Sequence, residues 1–194
     1  MIKNQLKKVV CGAIILSSSL VASSNSLVGI EGGYGSLSSE VTDKTLTPAR
    51  YTKDSMGLSS IGLKIGAEST NYRVFLSARY NKGSDSKYDY ISTYGGELQY
   101  VFNVASSTNI FVGVNAGLAN LKFSVNGENF SRTISDPYLG GDLGINIHMT
   151  DAMDLELGAR AMNIQATNSK NNIDYALENI ISGYASLIFK FKID

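Results

Sequence analysis

Eight segments of the chain alternate apolar and polar residues, and this repeated period of two constrains the fold more than any other feature. In the segment at residues 72–80, for example, the apolar Tyr72 and Val74 flank Arg73. Successive side chains of a β-strand point to opposite faces, so each segment predicts a strand with one apolar and one polar face. Each segment is about nine to eleven residues long, the length that a tilted strand needs to cross a bilayer.

The connections between these segments alternate in length. Long polar connections follow the odd-numbered segments, at residues 38–56, 81–93, 126–136 and 164–178, and short ones follow the even-numbered segments, at residues 69–71, 103–109 and 150–153. Long loops on one side and short turns on the other, with an even number of strands, are typical of a barrel in an outer membrane. We therefore predict an all-β fold, an eight-stranded antiparallel up-and-down transmembrane β-barrel.

The polar faces of these strands carry both signs of charge in equal number. Ten residues form this set: Glu31, Lys64, Glu68, Arg73, Arg79, Glu97, Asp142, Glu156, Arg160 and Lys190. An eight-stranded barrel has an interior just wide enough for side chains to fill. Because an unpaired buried charge is costly, a balanced set of acids and bases predicts a salt-bridged interior.

The opposite faces are apolar and have aromatic residues near the strand ends. These are Tyr34, Tyr72, Tyr80, Tyr94, Tyr100, Phe102, Phe189 and Phe191. Aromatic rings near the strand ends would lie at the two membrane interfaces, where outer-membrane barrels have girdles of aromatic residues. The alternative is a soluble periplasmic β-barrel with the two faces reversed. Its polar face would point to solvent, and its apolar face would form a core that binds a small apolar ligand.

The first 23 residues have the pattern of a secretory signal peptide. Lys3, Lys7 and Lys8 precede a mostly apolar run at residues 9–21, and small residues follow from Ala22. The run is shorter than the roughly 20 apolar residues of a spanning helix. We therefore predict a signal peptide over residues 1–23 and a barrel domain over residues 24–194, the alternative being an uncleaved anchor.

Cleavage would also change the composition of the chain. The single cysteine, Cys11, lies in the signal segment, so the mature chain would have no disulfide. Loss of three lysines and no acids would leave a net charge of −3. This balance gives no basic surface for nucleic acid, and we expect no nucleic-acid partner.

The closing strand ends in the sequence ASLIFKF at residues 185–191, three residues before the end of the sequence. Alternation puts Leu187, Phe189 and Phe191 on one face. This ending resembles the C-terminal sorting signal of bacterial outer-membrane barrels, although the usual signal ends on the aromatic residue. The resemblance implies that these three residues form an assembly signal for the barrel-assembly machinery.

Together, the strand layout, the glycine-rich strands and the ASLIFKF ending resemble the small eight-stranded outer-membrane barrels. These include the OmpA/OmpX-type transmembrane domain and the opacity-like surface proteins. The resemblance covers the whole mature chain. It implies an integral protein of the bacterial outer membrane with a structural or surface-interaction role, in contact with outer-membrane lipid and lipopolysaccharide.

Some barrels of this kind modify lipid A, so an enzyme is a further alternative. A serine hydrolase needs Ser, His and a carboxylate to converge. The only histidine, His148, falls on the polar face near the short-turn end of the sixth strand. The sequence has no phosphate-binding loop and no clustered metal ligands. We therefore expect no catalytic, cofactor-binding or metal-binding residues, no cofactor and no enzymatic activity.

The long connections are the remaining candidates for function. The first contains charged residues of both signs, including Asp43 and Lys53, and the second contains Tyr88 and Tyr90. Exposed tyrosines are frequent anchors of protein contacts. We therefore predict that these connections could contact a host or surface ligand.

Overall fold

The computed structural model describes residues 25–43, 50–84, 88–124, 131–170 and 173–192. These residues form eight strands: β1 (Asn25–Asp43), β2 (Arg50–Glu68), β3 (Tyr72–Gly83), β4 (Tyr88–Ala105), β5 (Thr108–Ser124), β6 (Ser131–Thr150), β7 (Met153–Lys170) and β8 (Ile173–Phe191). Each strand pairs antiparallel with the next, and β8 pairs antiparallel with β1, so the sheet closes into a barrel. The predicted eight-stranded antiparallel barrel is confirmed.

The two ends of the barrel differ. At one end, here called the turn end, strands are joined at residues 69–71, 106–107 and 151–152, and β1 begins and β8 ends there. At the opposite end, here called the hairpin end, the antiparallel pairs continue much further. Within the described part of the chain, no helix is long and apolar enough to cross a membrane.

The strands are longer than the sequence pattern predicted. They contain 12 to 20 residues, so the expectation of about nine to eleven was wrong. Pairing of β1 with β2 continues to Asp43↔Arg50, so most of the predicted loop at 38–56 is a strand hairpin, and residues 44–49 lie outside the described residues. Backbone hydrogen bonding continues where apolar alternation stops, because an antiparallel ladder satisfies N–H and C=O groups whatever the side chains are.

The outer surface of the barrel is apolar, as predicted. Large hydrophobic side chains are exposed there, among them Ile61, Leu63 and Leu139, at 67%, 62% and 66% exposure. The Tyr100 ring lies 4.9 Å from the Tyr72 ring and 4.6 Å from the Phe102 ring in edge contacts near the turn end. An exposed apolar belt with a band of aromatic rings is the surface that a bilayer covers.

Inside the barrel, several aromatic rings pack directly on glycines, and the ring of Tyr184 is an example. Tyr184 of β8 lies opposite Gly158 of β7, and a Cβ at residue 158 would come within 2.6 Å of the tyrosine ring. The ring therefore occupies space that any side chain at residue 158 would need. This contact lets a large side chain lie flat in a narrow interior.

Candidate functional site in the barrel lumen

The lumen is the part of the barrel where charged side chains converge. It has two layers of different chemistry. A charged layer occupies the turn end and the middle of the barrel, and an apolar layer occupies the lumen toward the hairpin end. The charged layer also contains two small groups of buried apolar and aromatic side chains: Leu27, Phe75 and Ile188, and Val101, Phe111 and Tyr184.

Glu31 of β1 is the centre of the charged layer. Its Oε1 accepts hydrogen bonds from Nη1 of Arg160 at 2.7 Å and from Nε of Arg79 at 2.8 Å, and its Oε2 accepts one from Nη2 of Arg160 at 3.2 Å. Nζ of Lys64 lies 3.9 Å from the same carboxylate. One carboxylate therefore joins strands β1, β2, β3 and β7 across the lumen.

A second carboxylate, Glu97 of β4, completes this centre. Nη2 of Arg79 donates to its Oε1, and Nη2 of Arg160 lies 3.6 Å from its Oε2. Each arginine therefore contacts both Glu31 and Glu97. All four side chains are buried, so removing any one leaves charge in a medium that solvates it poorly.

Lys64 of β2 extends the charged layer toward the turn end. Its Nζ donates to Oε1 of Glu156 at 2.6 Å. It also lies 4.9 Å from the centre of the Phe75 ring, and the Arg160 guanidinium lies 4.2 Å from the Tyr184 ring. Aromatic faces attract cations and exclude water, which strengthens the neighbouring ion pairs.

A separate cluster surrounds Asp154 at the turn end. Its carboxylate accepts hydrogen bonds from Nη2 of Arg73 at 2.8 Å and from Nδ2 of Asn146 at 2.8 Å. Nζ of Lys190 lies 2.8 Å from the same carboxylate, and Nδ1 of His148 lies 2.7 Å from it. Asp154 was not among the ten predicted residues, although alternation places it on the polar face with Glu156 and would have found it.

Glu68 lies at the outer edge of this cluster, 3.0 Å from Arg73 and 3.5 Å from Lys190. Glu68 and Lys190 are only half-buried, because they border a pocket of about 310 Å³ that opens at the turn end. Arg73 connects the cluster around Asp154 to the charged layer around Glu31, because its Nη1 lies 3.8 Å from Oε2 of Glu156. Ion pairs thus run from the turn end to the middle of the lumen.

Asp142 of β6 differs from the other predicted charges. Its partners are neutral: Nδ2 of Asn115 at 3.5 Å, Nε2 of Gln99 at 3.1 Å and the Tyr184 hydroxyl at 3.4 Å. No ion pair joins it to a described lysine or arginine, whereas the other nine predicted residues all make ion pairs. The residues within the described ranges contain no group of three or more His, Cys, Asp or Glu side chains that could hold a metal ion.

The layer toward the hairpin end is apolar, which the ten predicted charged residues did not indicate. Nine buried residues form it: Leu37, Leu58, Ile91, Ala119, Leu121, Tyr138, Met162, Ile164 and Ile180. Each lies an even number of residues from an inward-facing polar residue on its strand, as Leu37 does from Glu31. The inward face therefore stays the same along each strand, and only its chemistry changes from charged to apolar.

The predicted C-terminal signal lies on the outer surface of the closing strand. Phe189 and Phe191 are 44% and 43% exposed, and Leu187 is half-buried. These residues pair with Val28, Ser26 and Ile30 of β1. Residues 193 and 194 and the predicted signal peptide lie outside the described residues, and recognition by the assembly machinery stays a prediction.

A closed antiparallel barrel with an apolar belt outside and ion pairs inside is the architecture of outer-membrane proteins. The chain belongs to the family described as the outer membrane protein beta-barrel domain, which matches residues 9–182. The resemblance inferred from the sequence and the assignment to the bacterial outer membrane are thereby confirmed.

Solved structures with the same fold include other outer-membrane proteins. Neisserial surface protein A is 17% identical, with a TM-score of 0.62 over 87% of this chain and 99% of that chain. The outer membrane protein OprG of Pseudomonas aeruginosa is 15% identical, with a TM-score of 0.61 over 87% and 97% of the two chains. The N-terminal barrel domain of OprF of Pseudomonas aeruginosa is 14% identical, with a TM-score of 0.50 over 87% and 100%. At these identities the likeness shows the fold alone, and no curated protein matches the sequence significantly.

Proposed function

We propose that this protein is a non-enzymatic outer-membrane barrel with a structural or surface-interaction role. The observation that carries the proposal is the filled lumen, in which an ion-paired layer and an apolar layer follow one another across the barrel. Such an interior stabilises the barrel, leaves no wide aqueous path and exposes contact surface only at the two ends.

A filled lumen predicts that the barrel does not conduct ions as a porin does. Purified protein reconstituted in planar bilayers should give no single-channel steps under an applied voltage. A matched general porin, reconstituted in parallel, provides the positive control. Regular steps of porin size from this protein would contradict the proposal.

We further propose that the hairpin end faces the cell exterior and the turn end faces the periplasm. The arrangement of short turns and chain ends supports this orientation. The chain has no cysteine after Cys11. A single introduced cysteine can therefore report which end of the barrel faces the cell exterior. In intact cells, a membrane-impermeant maleimide should label Ser84→Cys at the hairpin end and leave Asp151→Cys at the turn end unlabelled until the outer membrane is permeabilised. The opposite labelling pattern would reverse the orientation.

The hairpins are the proposed contact surface for a host or surface ligand and for lipopolysaccharide. Cells that carry the protein should bind the ligand-bearing surface, and shortening the hairpin at residues 38–56 should abolish binding while heat-modifiable gel migration shows that the barrel still assembles. Shortening residues 164–178 instead is the matched control, because it shows whether a loss of binding is specific to the hairpin at residues 38–56. Unchanged binding after both deletions would remove the surface-interaction role.

Export, cleavage and insertion belong to the same proposal. We expect cleavage of the signal peptide near residue 23, followed by insertion through the barrel-assembly machinery. The mass of the protein extracted from outer membranes reports the cleavage site. Release of the mature protein by osmotic shock without detergent would support the soluble periplasmic alternative instead.

Two observations support a role without catalysis. His148, the only histidine of the chain, lies at the turn end and contacts Asp154 and Asn109, within hydrogen-bond distance of both. In the central lumen, Glu31, Glu97 and Glu156 are occupied by arginine and lysine partners. A deletion strain should therefore keep an unchanged lipid A mass spectrum, and altered acylation would contradict this part of the proposal.

A further inference from the structure

The outer face of the barrel changes from apolar to polar at one level on every strand. Beyond the apolar belt, toward the hairpin end, each strand places one exposed or half-exposed polar side chain outward. We call these eight residues the polar wall: Ser36, Ser59, Lys82, Ser92, Asn120, Ser135, Asn163 and Asn179. Several of them are direct cross-strand partners, as Ser59 is of Lys82 and Asn163 is of Asn179. The polar wall is therefore a band around the barrel rather than a set of scattered positions.

The inner face changes in the opposite sense at the same level. Leu37 and Leu58, which are 1% and 2% exposed, are the sequence neighbours of Ser36 and Ser59 and belong to the apolar layer of the lumen. Toward the turn end, the barrel is apolar outside and charged inside. At the polar wall it is polar outside and apolar inside, which is the arrangement of a barrel surrounded by water.

This exchange of faces locates one edge of the hydrocarbon layer. Polar side chains are costly to place in hydrocarbon, whereas an apolar interior is stabilised where water surrounds the protein. Tyr34, Tyr80 and Tyr94 are the last outward residues before the polar wall on their strands, and they are 65%, 44% and 52% exposed. Tyrosine is enriched at membrane–water interfaces. The barrel therefore leaves the hydrocarbon between these tyrosines and the polar wall.

The polar wall has a chemistry suited to one kind of partner. Seven of its eight residues are serine or asparagine, and Lys82 is its one charged residue. Nδ2 of Asn163 donates to Oδ1 of Asn179 at 2.9 Å, so the two amides are oriented by each other. Hydroxyl and amide groups both donate and accept hydrogen bonds, as sugar hydroxyls do. Phosphate recognition relies instead on clustered arginine and lysine, which the polar wall lacks.

We propose that the polar wall is a contact surface for the saccharide part of lipopolysaccharide. The proposal rests on the orientation proposed above, in which the hairpin end faces the cell exterior and the polar wall lies just beyond the outer leaflet. The apolar layer packs directly behind the polar wall. Its hydroxyl and amide groups are therefore presented by a packed sheet, which lowers the entropy that binding costs.

Spin labels test whether the polar wall lies outside the hydrocarbon. Ser59→Cys in the polar wall and Leu63→Cys in the apolar belt are exposed on the same face of β2. In vesicles of lipid A, a nitroxide at residue 59 should collide with a water-soluble nickel chelate several-fold more often than one at residue 63. The label at residue 63 should collide more often with oxygen. A label at residue 59 that behaves like the one at residue 63 would overturn the proposal.

Nuclear magnetic resonance of the detergent-solubilised barrel tests the partner. On titration with core oligosaccharide released from lipopolysaccharide, the side-chain amide signals of Asn120, Asn163 and Asn179 should shift and saturate. The buried amides of Asn115 and Asn146 in the lumen are the internal control and should stay unchanged. Replacing Asn163 and Asn179 together by alanine should weaken the binding several-fold.

Two outcomes of the titration would overturn the saccharide partner. The first is that the amides of the polar wall do not shift. The second is that inorganic phosphate shifts them equally, which would assign the polar wall to a phosphate group. Purified protein has no sidedness, so this result does not depend on the orientation. A failed titration in a barrel whose maleimide labelling confirms the orientation would refute this contact alone.

Discussion

Replacing Arg79 by leucine tests the ion-paired centre of the lumen most directly. Arg79 donates to both Glu31 and Glu97, and Glu97 keeps only the longer 3.6 Å contact with Arg160 once Arg79 is gone. Breaking a buried ion pair by removing one partner costs about 3–5 kcal/mol. Because Arg160 still neutralises part of the charge, we expect a loss near the lower limit, about 3 kcal/mol.

Urea unfolding of the barrel in lipid vesicles measures this loss. The chain has no tryptophan, so the folded fraction is best followed by heat-modifiable migration on gels. Lys82→Ala changes an exposed charge on the same strand and should leave the midpoint nearly unchanged.

A double variant separates the ion pair from simple packing. Arg79→Leu combined with Glu97→Leu removes both charges, and replacing a buried pair by apolar residues is often neutral or stabilising. The double variant should therefore be more stable than Arg79→Leu alone. Equal midpoints for Arg79→Leu and Lys82→Ala, or a double variant less stable than the single one, would refute the inward placement of this network.

Three further outcomes follow from the lumen and the closing strand. Gly158→Ala should destabilise the barrel by about 1–3 kcal/mol through overlap with the Tyr184 ring, and Tyr184→Leu in the same chain should recover part of the loss in urea unfolding. Asp154→Ala should cost about 3 kcal/mol because Arg73 loses a buried partner, and a midpoint equal to wild type would contradict the turn-end cluster. Phe191→Ala should slow insertion into the outer membrane in pulse-chase assembly assays, and unchanged kinetics would show that Phe191 is not part of an assembly signal.

The strand faces could be predicted from the sequence because alternation decides them residue by residue. The same rule would have found the apolar layer. Leu37 lies an even number of residues from Glu31, and Met162 and Ile164 lie an even number from Arg160. All three therefore share the inward face of their strands. The prediction of a salt-bridged interior followed only the charged positions and therefore did not include the apolar layer.

Other features could not be predicted because they depend on atoms brought together in three dimensions. The long hairpins were missed because serine and threonine, as at residues 38 and 42, pair through the backbone without any apolar alternation. The isolation of Asp142 depends on the side-chain conformation of Arg160, which contacts Glu31 rather than its cross-strand neighbour. No pattern in the sequence specifies which of two available carboxylates an arginine will bind.

The contact between Tyr184 and Gly158 has a consequence for the width of the barrel. A two-residue slip of β8 along β7 would keep every side chain on its own face but would set the Tyr184 ring against Glu156 or Arg160 instead of Gly158. The side chains of Glu156 and Arg160 would occupy the space that the Tyr184 ring needs. On β1 the same slip is less restricted, because Tyr184 faces Gly33 and Gly35 is two residues further on. The stagger of strands around a barrel sets its diameter. By restricting the register of β8 on β7, Gly158 therefore helps to fix the diameter of the barrel.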